Sequence, residues 1–162
     1  MTQQEAEQFL FAEVGLLDKR DYKGWRDLFA AEGVYWVPVN DTESDPQLNC
    51  SVIYAGAAQL DDRLERATSS YFWADQPAIK SVHTVSNVSV VAGKNTDEIT
   101  LLANQVVYLF RDNDQRRDQG LEILPASSEY RLNRVDQCWR IGLKKLNFLQ
   151  ADGYLPLLPA FV

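Results

Sequence analysis

The sequence predicts an α+β fold, with helices packed on one face of a curved, antiparallel sheet. Three observations carry that prediction. Apolar residues recur at helical spacing through the first 30 positions. Four long segments of the second half alternate apolar and polar residues instead. The stretches between those segments carry turn chemistry of the hairpin kind. Helices first and strands afterwards is the order expected of α+β proteins.

In chain order, Phe9, Leu10, Val14 and Leu17 share one face of a first helix. Asp18-Lys-Arg-Asp21 is a polar break. Tyr22, Trp25, Leu28 and Phe29 then fall on one face of a second short helix, which Gly33 ends. Val34-Tyr35-Trp36-Val37-Pro38 is rich in β formers and reads as a strand. Asn40 to Gln47 is acidic and turn-like, an expected exposed loop. Ser51 to Tyr54 reads as a short extended piece. Ala57 to Ala67 is helical, with Leu60, Leu64 and Ala67 on one face. Ser69 to Pro77 is an aromatic-containing loop.

The alternating segments are Ser81 to Val91, Ile99 to Phe110, Leu121 to Arg134 and Cys138 to Leu149. Gly93 to Asp97, Arg111 to Gly120, and Val135 to Gln137 join them as a meander. One domain over 1–162 is expected, with helices mainly in 3–30 and 57–68, strands in 33–38 and 81–150, and a tail at 151–162. The tail contains Pro156 and Pro159 and should close the core or add to an oligomer contact.

Bulk properties narrow the function. The 162 residues carry a formal charge of −7, against a nucleic-acid or anionic-membrane partner. The longest basic cluster, Arg116-Arg117, has Asp114 and Asp118 beside it and reads as a solvated loop. The start of the chain is acidic and polar, unlike a signal peptide, and no stretch nears the roughly 20 apolar residues of a membrane helix. A cytoplasmic location is therefore expected. Cys50 and Cys138 are expected to be reduced, buried thiols.

Ligand count is the sharpest exclusion. The chain has one histidine, His83, and two cysteines. A Rieske cluster takes two His and two Cys, and a non-haem oxygenase iron takes two His and a carboxylate. Neither can be built from this chain alone, and a zinc site is starved in the same way. No strand leads into a glycine-rich phosphate loop, and no G-x-S-x-G elbow is present.

One acid–base constellation is conceivable. Asp18 and Tyr22 lie at the first helix break and His83 near a strand start. A small α+β cone could place them in one pocket, with Asp18 orienting an imidazole that moves a proton. The plainer alternative is that Asp18 caps the second helix or pairs with an arginine, and that His83 is a satisfied, partly buried histidine. Of Tyr35 and Trp36, alternation turns one toward the core and leaves the other exposed or covered by another chain. Asp62, Arg63 and Arg66 form a charged helix face, either solvated or paired between subunits.

Several blocks of residues resemble a known family. Leu16-Leu17-Asp18, Tyr22, Trp25, Leu28-Phe29 and Tyr35-Trp36-Val37-Pro38 look like the N-terminal signature of the small (β) subunits of Rieske-type aromatic-ring-hydroxylating dioxygenases. Ser51, Ile53-Tyr54, Leu60, Asp62-Arg63 and Arg66 resemble a second block. His83 with Ser86-Asn87-Val88 resembles a third, and Tyr130-Arg131-Leu132 with Trp139-Arg140-Ile141 fits the last strands.

The resemblance implies a cone-shaped fold shared with nuclear transport factor 2, ketosteroid isomerase and scytalone dehydratase, its sheet mainly antiparallel but mixed. It implies no cofactor in this chain. The Rieske [2Fe–2S] cluster and non-haem iron would sit in a larger α subunit, which hydroxylates an aromatic ring with O2 and NAD(P)H-derived electrons. It implies trimerisation in an α3β3 assembly and a structural, non-catalytic role. The cone pocket would draw on Asp18, Tyr22, Trp25, His83 and Asn87, and contacts between subunits on Tyr35, Trp36, Asp62, Arg63 and Arg66. The alternative is a stand-alone dehydratase or isomerase, or a ligand-binding domain of the same cone, using Asp18 and His83.

Overall fold

The computed structural model describes residues 1–40, 45–71, 77–93, 95–112 and 120–162, without the side chain of residue 92. The Arg116-Arg117 cluster lies outside them, as do parts of the loops expected at Asn40 to Gln47, Ser69 to Pro77, Gly93 to Asp97 and Arg111 to Gly120.

Helix α1 spans Gln3–Asp18. Thr2 and Glu5 form a reciprocal capping box at its start, which satisfies two otherwise free N–H groups. Its inward stripe is Ala6, Leu10, Glu13, Val14 and Leu17, so one carboxylate sits among the apolar positions. The helix ends on Arg20, whose φ of 57° is left-handed. There Arg20 N–H donates to Leu17 O and Asp21 N–H to Leu16 O, each at 2.9 Å, the two bonds of a Schellman ending. The reversal leaves Asp18 in the last helical turn and delivers Asp21 as the cap of α2, Tyr22–Arg26. Gly24 N–H donates to Asp21 Oδ1 at 2.9 Å.

The second helix is shorter than its periodicity predicts. Strand β1 is Phe29–Pro38, so Phe29 to Gly33 is already extended. Tertiary pairing overrides the local helical pattern: Ile141 N–H donates to Leu28 O at 2.8 Å, and Phe29 pairs with Ile141. The register shifts between Phe29 and Val34. Gly33 crosses that irregularity so closely that a Cβ would lie 2.6 Å from the Ile141 carbonyl oxygen. Gly33 therefore permits a strand crossing and does not end a helix.

Strand β2, Ser51–Ala55, and helix α3, Ala57–Thr68, follow. The meander is β3 Lys80–Ala92, β4 Glu98–Phe110, β5 Glu122–Val135 and β6 Cys138–Phe148. The sheet order is β2-β1-β6-β5-β4-β3. All neighbours are antiparallel except β1 with β6, so the sheet is mixed and open, with β2 and β3 as its edges. Asp136 and Gln137, with φ of 49° and 63°, turn β5 into β6 through a two-residue hairpin of the type that suits strand twist. Cys50 and Cys138 are both free and exposed, not buried, since each stands at the start of an element next to a turn.

The inward faces of β4, β5 and β6 present Leu101, Val107, Leu124, Tyr130, Leu132, Ile141 and Leu146 to the helices. The tail closes this core: Phe161 and Val162 are 1% and 0% exposed.

Candidate functional site

Two polar clusters lie between α1 and the sheet. The first joins two residues 65 positions apart, Asp18 and His83. Ending α1 at the Arg20 reversal aims the Asp18 carboxylate at β3. His83 Nδ1 stands 2.6 Å from Asp18 Oδ1, and the His83 backbone N–H donates to Asp18 Oδ2 at 3.1 Å. Ser81 Oγ donates to Oδ1 at 3.3 Å. Asp18 thus does not cap α2, which is the role of Asp21, and among the described residues its partners are His83 and Ser81.

The His83 side chain is 1% exposed. Burial lowers its pKa below the ordinary value, and the Asp18 hydrogen bond opposes this only in part. A neutral imidazole facing a carboxylate carries its proton on Nδ1. Its Nε2 is then a buried acceptor with no partner among the described residues. A carboxylate-oriented imidazole is a competent proton acceptor in geometry, but a substrate must come within hydrogen-bond reach of Nε2. Two surface grooves, of about 500 and about 720 Å3, are lined respectively by residues around Asn104 and Asn147 and by residues around Thr100 and Asn133. Neither is lined by Asp18, Tyr22, Trp25 or His83.

The second cluster was not singled out from sequence. Glu13 and Lys144 form an ion pair at 2.8 Å, both side chains wholly buried. Glu13 Oε1 also accepts from Trp25 Nε1. Glu13 Oε2 accepts from the Tyr130 hydroxyl at 3.0 Å, which in turn accepts from Gln105 Nε2 at 2.6 Å. Lys144 Nζ donates further to Val162 O at 2.9 Å. The ammonium lies 5.4, 5.6 and 5.7 Å from the ring centres of Trp25, Tyr35 and Tyr130, within cation–π range. Burial lowers the Lys144 pKa while Glu13 pulls it back up, and burial raises those of Tyr35 and Tyr130.

This network decides the fate of the other expected residues. Trp25 is fully buried, with its ring 4.7 Å from Phe29 and 4.7 Å from Phe161. The Tyr22 ring packs on Phe161 at 5.3 Å, and no hydrogen bond ties it to His83. Asn87 is exposed and sits with a φ of 54° at the β3 bulge between Ser86 and Ser89, so it shapes the strand rather than lining a pocket.

The surface expectations also need correction. Tyr35 and Trp36 are both buried, at 0% and 6% exposure. Tyr35 faces the core and donates to Val162 O at 2.9 Å. Trp36 lies on the other face but is covered by its own chain: its Nε1 donates to Ser51 Oγ at 2.9 Å, Tyr54 meets it edge-on, and the Lys145 ammonium sits 4.3 Å above its ring. The β1–β2 hairpin supplies the cover that alternation alone could not foresee. Asp62 and Arg66 are exposed, but Arg63 is half-buried and donates to Ala160 O at 3.0 Å, binding the tail. The neighbouring Asp61, not Asp62, pairs with Arg26, at 2.7 Å.

Among the described residues, no three of His, Cys, Asp and Glu gather as a metal-binding group. Among the described residues, no helix is long and apolar enough to cross a membrane.

Comparison with known proteins places the chain in a family. The family model described as "Ring hydroxylating beta subunit" matches residues 12–152. The biphenyl 2,3-dioxygenase subunit beta of Rhodococcus jostii is 33% identical over 116 residues. That match covers 65% of this chain and 61% of the relative, less than two thirds of its length. The small oxygenase component of the p-cumate 2,3-dioxygenase system of Pseudomonas putida is 29% identical over 158 residues, 96% of this chain and 83% of that one. Among solved structures, naphthalene 1,2-dioxygenase with indole bound aligns at a TM-score of 0.78 and 20% identity, over 92% of this chain and 79% of that chain. This last likeness bears on the fold and shows the expected cone architecture.

Proposed function

The chain belongs to the ring-hydroxylating β-subunit family, and from that premise we propose that it is a structural, non-catalytic subunit of a multicomponent aromatic-ring-hydroxylating oxygenase. Its partner is a larger α subunit that carries a Rieske [2Fe–2S] cluster and a mononuclear iron. That subunit hydroxylates an aromatic compound with O2 and NAD(P)H-derived electrons. The assembly is α3β3, with this chain contributing the trimer.

The observation that carries the proposal is the filled interior. Glu13, Lys144, Trp25, Tyr35 and Tyr130 satisfy one another around Phe161 and Val162. What remains available is the outside. Val82 and Ile123 are 58% and 49% exposed and flank Tyr108 in register across β3, β4 and β5. A cross-strand apolar strip of this kind supports a protein contact. The relatives named biphenyl and p-cumate dioxygenase subunits support a one-ring or two-ring aromatic substrate for the assembly.

Co-expression with the α subunit and size-exclusion chromatography test the proposal. Both chains should elute together at the mass of the hexamer, and the lone chain should show no oxygenase turnover. A stable monomer that ignores the α subunit overturns it.

A further inference from the structure

Phe161 and Val162 occupy the interior in the manner of a bound ligand. The Phe161 ring lies 4.7 Å from Trp25, 5.3 Å from Tyr22 and 6.5 Å from Tyr35. The next carbonyl, Val162 O, accepts from Lys144 Nζ and from the Tyr35 hydroxyl, each at 2.9 Å. Val162 N–H approaches the same hydroxyl at 3.3 Å. An apolar cavity would need only the ring. Here a fully buried ammonium and phenol also converge on one oxygen atom.

The occupant is not part of the fold's framework. From residue 149 to residue 162 the chain forms no helix or strand, so withdrawing Phe161 and Val162 breaks no ladder. Segments held by few backbone bonds open at lower cost than core strands. Tyr154 and Leu157 on the same tail are each 52% exposed. The walls come from elements fixed independently of it: α2, β1 and β6.

We propose that Tyr22, Trp25, Tyr35 and Lys144 form a binding site for an aryl group tethered to an acyl or carboxylate oxygen, which the chain's own Phe161–Val162 now fills. The class follows from the donors. An acceptor oxygen must reach Lys144 and the Tyr35 hydroxyl while a ring fills the space between Trp25 and Tyr22. A ligand with a ring alone leaves a buried ammonium short of an acceptor, a costly arrangement. This site concerns the interior and stands whether or not the chain docks on an α subunit.

The test uses the protein shortened to end at Ala160, with hydrocinnamoyl-glycine as the probe, whose ring and carboxylate have the reach of Phe161 and Val162. At a hundredfold excess over Kd the thermal midpoint should rise by about 5–10 °C. The intact protein should not shift, and adding Glu13→Leu/Lys144→Met, which removes the ammonium without stranding a charge, to the shortened chain should weaken the probe at least tenfold. No shift in the folded, shortened chain overturns the proposal, as does an equal shift in the intact protein. Full-length Phe161→Ala guards against failure of the shortened chain to fold. It removes only the ring, and toluene should raise its midpoint while leaving the unsubstituted protein unchanged. Absence of that rise overturns the aryl site equally.

Discussion

Glu13 and Lys144 meet 2.8 Å apart on α1 and β6, and neither side chain reaches water. Such a pair contributes little net stability, because desolvation offsets most of the attraction, but breaking it strands a charge. Glu13→Ala should therefore cost about 3–5 kcal/mol in urea unfolding. The double variant Glu13→Leu/Lys144→Met should recover most of that loss. A double-mutant cycle measures the coupling, and simple additivity would deny it.

His83 provides a pH dependence. Its folded-state pKa lies below the ordinary 6.5 because burial disfavours the charged ring. The unfolded chain thus takes up the proton first. The His83 contribution is whole above pH 6.5 and is lost as pH falls below that value, through the depressed folded pKa. Unfolding free energies measured from pH 7 to pH 4.5 should decline, and His83→Gln should decline less steeply.

The same residue separates a structural from a chemical role. In the proposed α3β3 assembly, His83→Ala should lower the thermal midpoint, since Asp18 loses its ring partner. Turnover per assembled complex should stay unchanged. A folded, assembled variant whose turnover collapses would place the His83–Asp18 pair in the chemistry instead.

The helices and the meander were legible because each repeats its own period over many residues. The polar interior was only half legible. Glu13 falls on the apolar stripe, three residues after Leu10 and four before Leu17. Alternation read back from Phe148 and Leu146 lands on Lys144. Each was a visible exception, but they are 131 residues apart, and nothing local says they meet. The second helix is shorter than its period predicts for a related reason: Phe29 obeys the helical period but pairs with Ile141. The burial of Trp36 is not legible locally, because its cover, Ser51, Tyr54 and Lys145, comes from other strands.

Gly33 tests the close passage of β1 beside β6. A methyl group there would meet the Ile141 carbonyl oxygen at 2.6 Å, and backbone cannot swing aside as a side chain can. Gly33→Ala should destabilise by about 1–3 kcal/mol, the range for overpacking. Gly15, with nothing within 4 Å of its would-be Cβ, is the control. Gly15→Ala should be stabilising by up to about 1 kcal/mol in its helix. Equal effects at the two positions would remove the steric argument.

The proposed assembly contact is the apolar strip on the outer face, where Val82 and Ile123 are exposed. Val82 pairs with Tyr108, and Tyr108 with Ile123, so the three side chains stand side by side on one face. The outer positions of Val82 and Ile123 make few demands on the core, and Asp at both should leave the far-UV spectrum and thermal midpoint of the lone chain nearly unchanged. In a contact, two buried carboxylates without partners are strongly unfavourable. Val82→Asp/Ile123→Asp should therefore shift the co-expressed assembly toward dissociated subunits on size exclusion, by at least tenfold in apparent Kd. A charged variant that still elutes as the full assembly would exclude this strip from the contact and favour the exposed tail residues Tyr154 and Leu157 instead.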